Sequence, residues 1–155
     1  MTVIQIQETA LYVDIDKTKA YYRGNSVCDC PADRNLQVQI KQVFPKLDGF
    51  LSQMGIDICR PDEAADVEDG KRIHYLFVGY TAVGHIQEEL ELDMDELHIK
   101  ISKGETSSDW FPNEQTEPCF FVTITGIYLP WVLDKPFSTE KCKRLFKTRK
   151  AKKVR

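Results

Sequence analysis

Apolar and polar residues alternate with a period of two in several parts of the chain, which predicts half-buried β-strands. Residues 10–23 show this alternation followed by a turn and a second apolar run, which predicts a β-hairpin. Residues 90–102 show it on both sides of a turn, which predicts a second hairpin with one wet face. Residues 73–83 form a longer apolar run, typical of a central strand covered on both faces. Residues 119–127 predict a further strand, and the proline-interrupted residues 129–133 favour an edge strand or a packed extended segment.

A period close to that of an α-helix replaces the alternation between residues 34 and 54. The apolar residues that share one face of this predicted helix are Leu36, Ile40, Val43, Phe44, Leu47, Phe50, Leu51 and Met54. Asp33 precedes the segment and is a suitable N-cap residue, and Gly55 fits the left-handed C′ position after it. Pro45 interrupts the segment without changing its phase, so we expect either a kink or two helices joined end to end.

Together these segments predict an α+β fold. We expect a mostly antiparallel sheet of about five to seven strands packed on one principal helix, which is kinked at Pro45 in one alternative. The acidic stretch at residues 60–71 is predicted to be a loop. A chain of 155 residues is the length of one ordinary domain. We place that domain at residues 1–140 and a basic C-terminal tail at residues 141–155.

Composition narrows the cellular compartment. Apolar residues make up 42% of the chain and charged residues 29%, which is typical of a soluble globular protein. No apolar run approaches the roughly eighteen residues that a membrane span requires, and residues 1–7 lack the regions of a signal peptide. Five cysteines, an odd number, indicate reduced thiols. We therefore predict a cytoplasmic protein with no membrane association.

The net charge of −3 hides an uneven distribution of charge. Residues 141–155 contain nine Lys or Arg and no Asp or Glu, which leaves 12 basic and 24 acidic residues in positions 1–140. Such a tail binds an anionic partner, folds back on the acidic body or stays solvated. Phe146 is its single aromatic residue and the acidic body repels polyanions, so nucleic-acid binding through the tail is not favoured.

Cys28 and Cys30 form the most compact group of reactive side chains, directly ahead of the predicted helix. A helix N-terminus lowers the pKa of a nearby thiol, which makes the thiol nucleophilic or metal-binding. A structural zinc site needs four ligands, so the fold would have to add Asp33 and either Cys59 or His74. We take Cys28, Cys30, Asp33 and Cys59 as candidate ligands, with zinc as the candidate metal. The alternative interpretation is two ordinary small residues in a loop, with no cofactor.

The sequence around this loop resembles a small uncharacterised family of bacterial proteins, mainly from Firmicutes. The resemblance is carried by residues 22–26, 28–35, Pro45, Leu51, Gly55 and 60–63, and more weakly by 129–133. In that family the loop reads C-x-C-x-x-C ahead of a helix, and three thiols of this kind imply metal or redox chemistry. Asp33 stands at the third thiol position in this chain, so the all-thiolate set is not present. The resemblance implies a bacterial origin and no particular activity.

Motifs typical of enzymes are not found in the sequence. There is no G-x-S-x-G elbow, Walker loop, G-x-G-x-x-G fingerprint or H-E-x-x-H zinc motif. A Cys–His pair such as Cys30 with His74 depends on the fold and is not visible in spacing. The sequence therefore leans against an enzyme.

Two acidic segments predict a negative surface that attracts a basic protein partner. The residues assigned to it are Asp66, Glu68, Glu88, Glu89, Glu91 and Asp93, with Trp110 as an aromatic anchor. The alternative interpretation is the ordinary wet face of a sheet. Our leading hypothesis is a non-enzymatic module that binds another protein through this surface, as inhibitors and immunity proteins do. The second hypothesis is a thiol or metal-site protein that uses the Cys28-x-Cys30 loop.

Overall fold

A 15-residue strand, Arg72–Ile86, runs through the middle of the sheet. The structure is a computed structural model that describes residues 1–24, 28–103 and 117–134. The central strand predicted at residues 73–83 is therefore confirmed. Its second half is buried on both faces, which is why polar residues do not alternate with apolar ones there.

Eight strands and four helices are found within the described residues. The strands are β1 (Thr2–Ile6), β2 (Thr9–Val13), β3 (Glu63–Asp69), β4 (Arg72–Ile86), β5 (Leu90–Met94), β6 (Leu97–Lys103), β7 (Cys119–Thr125) and β8 (Ile127–Pro130). The helices are α1 (Ile15–Gly24), α2 (Pro31–Gln37), α3 (Ile40–Val43) and α4 (Pro45–Ser52).

The strands form one sheet in the order β1-β2-β4-β7-β6-β5, and β3 and β8 also pair with β4. Each of these pairings is antiparallel. The predicted α+β class with a mostly antiparallel sheet is confirmed, with eight strands in place of about five to seven. The β5–β6 hairpin matches the one predicted at residues 90–102, with Leu90 opposite Ile101 and a tight turn at the other end.

The hairpin predicted at residues 10–23 is wrong in its second half. Strand β2 pairs with β1, which precedes it, and the chain then enters helix α1. Asp14 starts this helix, because its carboxylate accepts the Lys17 N–H at 3.0 Å. Tyr22 is buried on the inner side of α1, where its hydroxyl donates to the Thr81 carbonyl at 2.8 Å. Tyr22 favours a strand by local propensity, but its tertiary contact with Thr81 holds it in a helix.

The single principal helix expected between residues 34 and 54 is not found. The segment contains the three helices α2, α3 and α4, with breaks around Gln39 and at Phe44. Pro45 begins α4, where a missing backbone N–H costs nothing, so the alternative of helices joined end to end describes this point correctly. Most of the predicted apolar face continues across both breaks, since these members of it are buried: Leu36, Ile40, Leu47, Leu51 and Met54. Val43 is the exception, because it lies between the two breaks and is 46% exposed.

The acidic loop predicted at residues 60–71 is also wrong, because strand β3 lies within it. β3 pairs with β4 along its whole length, from Glu63 opposite Gly79 to Asp69 opposite Arg72. Within the described part of the chain, β4 is the one strand that pairs with β3. The acidic residues of β3 therefore stand on an edge strand, where charge discourages pairing with another chain.

One hydrophobic core joins the sheet to the helices. Leu36 of α2 and Leu51 of α4 belong to the same buried cluster as Ile73 and Tyr75 of β4. None of the helices in the described ranges has both the length and the apolar character needed to cross a membrane. The basic tail predicted at residues 141–155 lies outside the described residues.

A Schellman motif follows helix α4 and turns the chain toward β3. The Gly55 N–H donates to the Ser52 carbonyl at 3.0 Å, and the Ile56 N–H donates to the Leu51 carbonyl at 3.1 Å. Gly55 has a φ of 83°, so its predicted left-handed C′ position is confirmed. A Cβ atom added to Gly55 would lie 2.7 Å from the Ile15 carbonyl oxygen. Both the backbone conformation and the available space therefore require glycine.

We expect Gly55→Ala to lower the free energy of unfolding by about 1–3 kcal/mol, because the new side chain is strained and meets backbone. Urea unfolding measures this change. Gly49→Ala is the matched control, since no atom of the described residues lies within 4 Å of a Cβ atom added there in α4. The control is expected to be unchanged or up to about 1 kcal/mol more stable. Equal stability of Gly55→Ala and the wild type would contradict the prediction.

Candidate metal site

Cys28, Cys30 and Asp33 come together at the start of helix α2. One ligand atom of each residue, a thiol sulfur or a carboxylate oxygen, lies within 4.8 Å of the other two. Cys30 is the N-cap residue, with φ −63° and ψ 155°, and Pro31 begins the helix. The extended backbone at Cys30 precedes the helix, and Cys28 lies close to Asp33 in the first helical turn. Asp33 belongs to that turn and is not the N-cap, so its predicted capping role is wrong.

Hydrogen bonds to Cys28 hold the loop in this conformation. The Cys30 N–H donates to the Cys28 Sγ at 3.4 Å, and the Gln37 side chain donates to the Cys28 carbonyl at 3.2 Å. Cys28 is buried, whereas Cys30 and Asp33 are half-buried. These hydrogen bonds therefore set the orientation of the Cys28 sulfur within this segment.

The Asp33 carboxyl stands in an unfavourable environment for a negative charge. Its pKa is raised from 3.8 to about 6, chiefly by burial. The charges of Asp66 and Glu63 contribute to the increase, and hydrogen bonds with the thiols of Cys28 and Cys30 oppose it. Ionised Asp33 is therefore both desolvated and close to like charges, and a cation placed among these groups removes the repulsion.

A β-bulge directs Glu63 and Asp66 to the same face of strand β3. Residues three apart in a regular strand point to opposite faces. Glu63 lies opposite Gly79, but the register shifts just before Asp66, which lies opposite Tyr75. Gly79 and Tyr75 are four residues apart in β4 and share a face, so both carboxylates do too. This face is turned toward α2, because the Tyr75 hydroxyl donates to the Ala32 carbonyl at 2.6 Å.

Polar contacts fix helix α2 on the sheet. The Asn35 side chain is fully buried; it donates to the Pro130 carbonyl at 3.1 Å and accepts the Val132 N–H at 2.9 Å. The Gln39 side chain donates to the same Pro130 carbonyl at 2.8 Å. The helix that carries Asp33 is thus held against the end of β8, and the candidate ligands rest on a rigid support.

The donor set and its spacing fit a thiophilic divalent cation. Zinc binds cysteine sulfur at about 2.3 Å, and tetrahedral geometry then separates neighbouring ligand atoms by about 3.8 Å. The ligand atoms of Cys28, Cys30 and Asp33 lie up to 4.8 Å apart, so a closure of about 1 Å brings them into range. Three protein ligands with an open fourth position are typical of catalytic zinc sites, whereas structural sites have four.

Cys59 and His74 lie outside this cluster. Burial and the charge of Asp57 raise the pKa of the Cys59 thiol, which stands in the turn before β3. His74 stacks on Tyr128 with 4.1 Å between ring centroids. Alternation along β4 puts His74 on the opposite face from Tyr75, the residue that contacts α2. The fold therefore brings together three of the four ligands that the sequence suggests.

The acidic residues predicted to bind a partner divide between two strands. Asp66 and Glu68 lie on β3, while Glu88, Glu89, Glu91 and Asp93 lie in or directly before β5. The sheet order separates β3 from β5 by β4, β7 and β6. Trp110 lies outside the described residues. Binding of a basic protein through these residues stays a prediction.

Two of the acidic residues on β5 contact His98 on the neighbouring strand β6. The Asp93 carboxylate contacts His98 Nδ1 at 2.8 Å, and the Glu91 carboxylate contacts His98 Nε2 at 3.0 Å. Hydrogen bonds to Asp93 and then Glu91 raise the pKa of His98 above its ordinary 6.5. The His98 side chain lies on the exposed face of the hairpin.

Sequence patterns do not single out Glu63, yet its charge and that of Asp66 both raise the pKa of Asp33. Their spacing of three suggests opposite faces of a strand, and the bulge that brings them together depends on pairing with β4. The one local hint is that two acidic residues three positions apart do not fit the alternation of polar and apolar residues in a regular strand.

Comparison of the chain with protein-family models, with curated proteins and with solved structures finds no match among any of the three. The resemblance to a bacterial family with a C-x-C-x-x-C loop therefore stays a prediction, and the geometry of the cluster carries the functional argument.

Metal-free protein is expected to lose stability as the pH rises through about 6, because the pKa of Asp33 is raised in the folded state. The stability contributed by protonated Asp33 is fully present below pH 3.8 and is lost through about pH 6. Above that pH, Asp33→Asn is expected to be more stable than the wild type by about 3 kcal/mol. Urea unfolding across this range, with a chelator present, measures the difference. Asp29→Asn removes an exposed carboxylate of the same loop as a control, and parallel profiles for Asp33→Asn and wild type would contradict the prediction.

The pKa of His98, measured by NMR titration of its ring protons, is expected to lie above 6.5. Because the pKa is raised in the folded state, the stabilisation is present below pH 6.5 and is lost as the pH rises through the folded value. Asp93→Asn is expected to lower the pKa more than Asp95→Asn, a control in the adjacent turn whose carboxylate faces Lys46 at 3.5 Å. Equal pKa values in both variants would show that the contact with Asp93 is unimportant.

Proposed function

We propose that the protein binds a thiophilic divalent cation, with zinc as the representative, through Cys28, Cys30 and Asp33. The single observation that carries the proposal is the convergence of two sulfur atoms and a carboxylate oxygen within 4.8 Å of one another. Sulfur ligands select zinc and related soft or borderline ions over magnesium and calcium, which prefer oxygen.

Electrostatics supports the same proposal. Burial raises the pKa of the Asp33 carboxyl, and the negative charges of Asp66 and Glu63 raise it further. Without a cation, such a group costs stability at neutral pH. With a divalent cation bound, the repulsion becomes attraction, so the cost in the free protein is recovered as affinity.

The fourth coordination position is filled by a water molecule or by a carboxylate of β3. Glu63 and Asp66 are the candidates from the protein. The charges of both raise the pKa of Asp33, and both lie on the face of β3 that is turned toward α2. Ligation by either residue joins the loop before α2 to the edge strand β3. Thiol ligands are deprotonated when they bind, so the affinity increases with pH.

Asp33 also accounts for the difference from the C-x-C-x-x-C pattern. Its carboxylate stands where the resembled family has a third thiol, and carboxylates are established zinc ligands. The site is thus a mixed sulfur and oxygen site, which binds soft ions less exclusively than three thiolates do.

Chelator-treated protein is expected to bind added Co²⁺ with the appearance of sulfur-to-cobalt charge-transfer absorption, and Zn²⁺ is expected to displace the cobalt. Cys28→Ser and Cys30→Ser are each expected to weaken binding by at least about tenfold, because each removes a thiolate ligand. Zinc at about 100 times its dissociation constant is expected to stabilise the wild type by about 2.7 kcal/mol.

Cys59→Ser and Cys119→Ser are matched controls, since both replace half-buried cysteines outside the cluster. Both controls are expected to bind cobalt with the same spectrum and affinity as the wild type. Elemental analysis of protein purified without added metal gives an independent measurement. Cobalt binding without charge-transfer absorption, or binding that survives loss of both Cys28 and Cys30 thiols, would overturn the proposal.

A further inference from the structure

A second concave site lies among helix α1, helices α3 and α4, and the turn that leads to β3. It has a volume of about 350 Å³, and none of the candidate metal ligands lines it. Its basic residues come from separate parts of the chain: Lys19 and Arg23 from α1, Lys41 from α3 and Arg60 from the turn. The fold therefore gathers four cationic side chains around one cavity in a protein of net charge −3.

Three of the four positive charges on the cavity wall have no ion pair with a described residue. Within the described ranges, no carboxylate lies within ion-pair distance of Lys19, Arg23 or Lys41. Ion pairs with carboxylates are made by other basic residues, namely Lys17, Lys46 and Arg72. Lys19 and Arg23 are four residues apart on α1, so their like charges face the same side of the helix and repel each other. A bound anion removes that repulsion.

The two carboxylates that line the cavity are engaged locally. The Asp57 carboxylate accepts the Cys59 N–H at 3.0 Å, and the Asp48 carboxylate accepts the Ser52 hydroxyl at 3.5 Å. Four cations and two carboxylates leave the lining with an excess of positive charge. The cavity is thus a positive region on an otherwise acidic body, and it focuses the local field on small anions.

The floor of the cavity is rigid. Tyr22 is 2% exposed, and its hydroxyl is held by the carbonyl and the N–H of Thr81 at 2.8 and 2.9 Å. Gly55 is buried beneath the aliphatic part of Lys19, whose Cγ lies 3.3 Å from the position of an added Cβ atom. The basic side chains therefore project from a fixed surface, which reduces the entropy lost when they bind a ligand.

We propose that this cavity binds a phosphate-bearing small molecule through Lys19, Arg23 and Lys41. Its volume is in the range of small-molecule sites, which is about 300–1,000 Å³. The planar guanidinium of Arg23 offers paired donors that match phosphate oxygens, while the lysines supply compact positive charges. The site is independent of the proposed metal site, since the two share no residues.

Inorganic pyrophosphate is the probe, and NMR titration of the full chain at low ionic strength is the measurement. Saturable shifts are expected for backbone amides of α1 and of residues 53–60, with a dissociation constant of about 1 mM or below. Arg23→Gln and Lys41→Gln replace exposed side chains and are each expected to weaken binding by at least about tenfold. Lys46→Gln is the control, because Lys46 is also exposed, pairs with Asp95 and does not line the cavity.

Three outcomes would overturn the proposal. The first is the absence of saturable shifts at the cavity in the wild type. The second is equal weakening by Lys46→Gln, which would indicate unspecific attraction to positive charge. The third is a set of shifts confined to the basic residues after position 140, which would place the phosphate on the C-terminal segment. Spectra of the free variants show directly whether each one is folded.

Discussion

The backbone pairing of strand β4 is the constraint on which the rest of the structure depends. This strand forms ladders with β3 and β2 on one side and with β8 and β7 on the other. Tyr75 and Tyr80 on it are fully buried. A strand enclosed in this way must have its N–H and C=O groups paired, because an unpaired buried group costs several kcal/mol (roughly 2–7, depending on the reference). The other strands are therefore positioned relative to β4.

Two tyrosine hydroxyls connect β4 to helix α2 and to the turn before β3. The Tyr75 hydroxyl donates to the carbonyl of Ala32 in α2, and the Tyr80 hydroxyl donates to the carbonyl of Ile58 in the turn before β3. Each tyrosine is thereby buried with its polar atom satisfied, and each contact fixes a segment that carries a candidate site. The first holds the helix of the thiol cluster, and the second holds the turn that lines the basic cavity.

The two candidate sites have opposite electrostatic character. At the start of α2, burial and neighbouring carboxylates make a negative charge on Asp33 unfavourable. At the cavity, cations from α1 and α3 stand without a carboxylate partner among the described residues. Each arrangement sacrifices some stability of the free protein, as functional sites commonly do. A ligand of the opposite charge would relieve each arrangement, and neither site is apparent from the small net charge of the chain.

Local sequence patterns predict the structure correctly where the interacting residues lie close together in the sequence. The β5–β6 hairpin follows from alternation on both sides of one turn, and the left-handed Gly55 follows from its place after an apolar helix. The cluster of Cys28, Cys30 and Asp33 could also be predicted from the sequence, because six consecutive residues contain all its members. Residue type and short spacing determine such features with little help from the rest of the fold.

The pattern of residues alone predicts the α+β class, the buried central strand, most of the apolar face of residues 34–54 and the proximity of Cys28, Cys30 and Asp33. The fold sets the helix at Tyr22, the breaks near Gln39 and Phe44, the shared face of Glu63 and Asp66, and the gathering of Lys19 with Lys41. These features depend on contacts between distant segments, such as the Tyr22 hydroxyl with Thr81 and the shifted register of β3 on β4. Periodicity reports which face of an element is buried, but it does not report what that face is buried against.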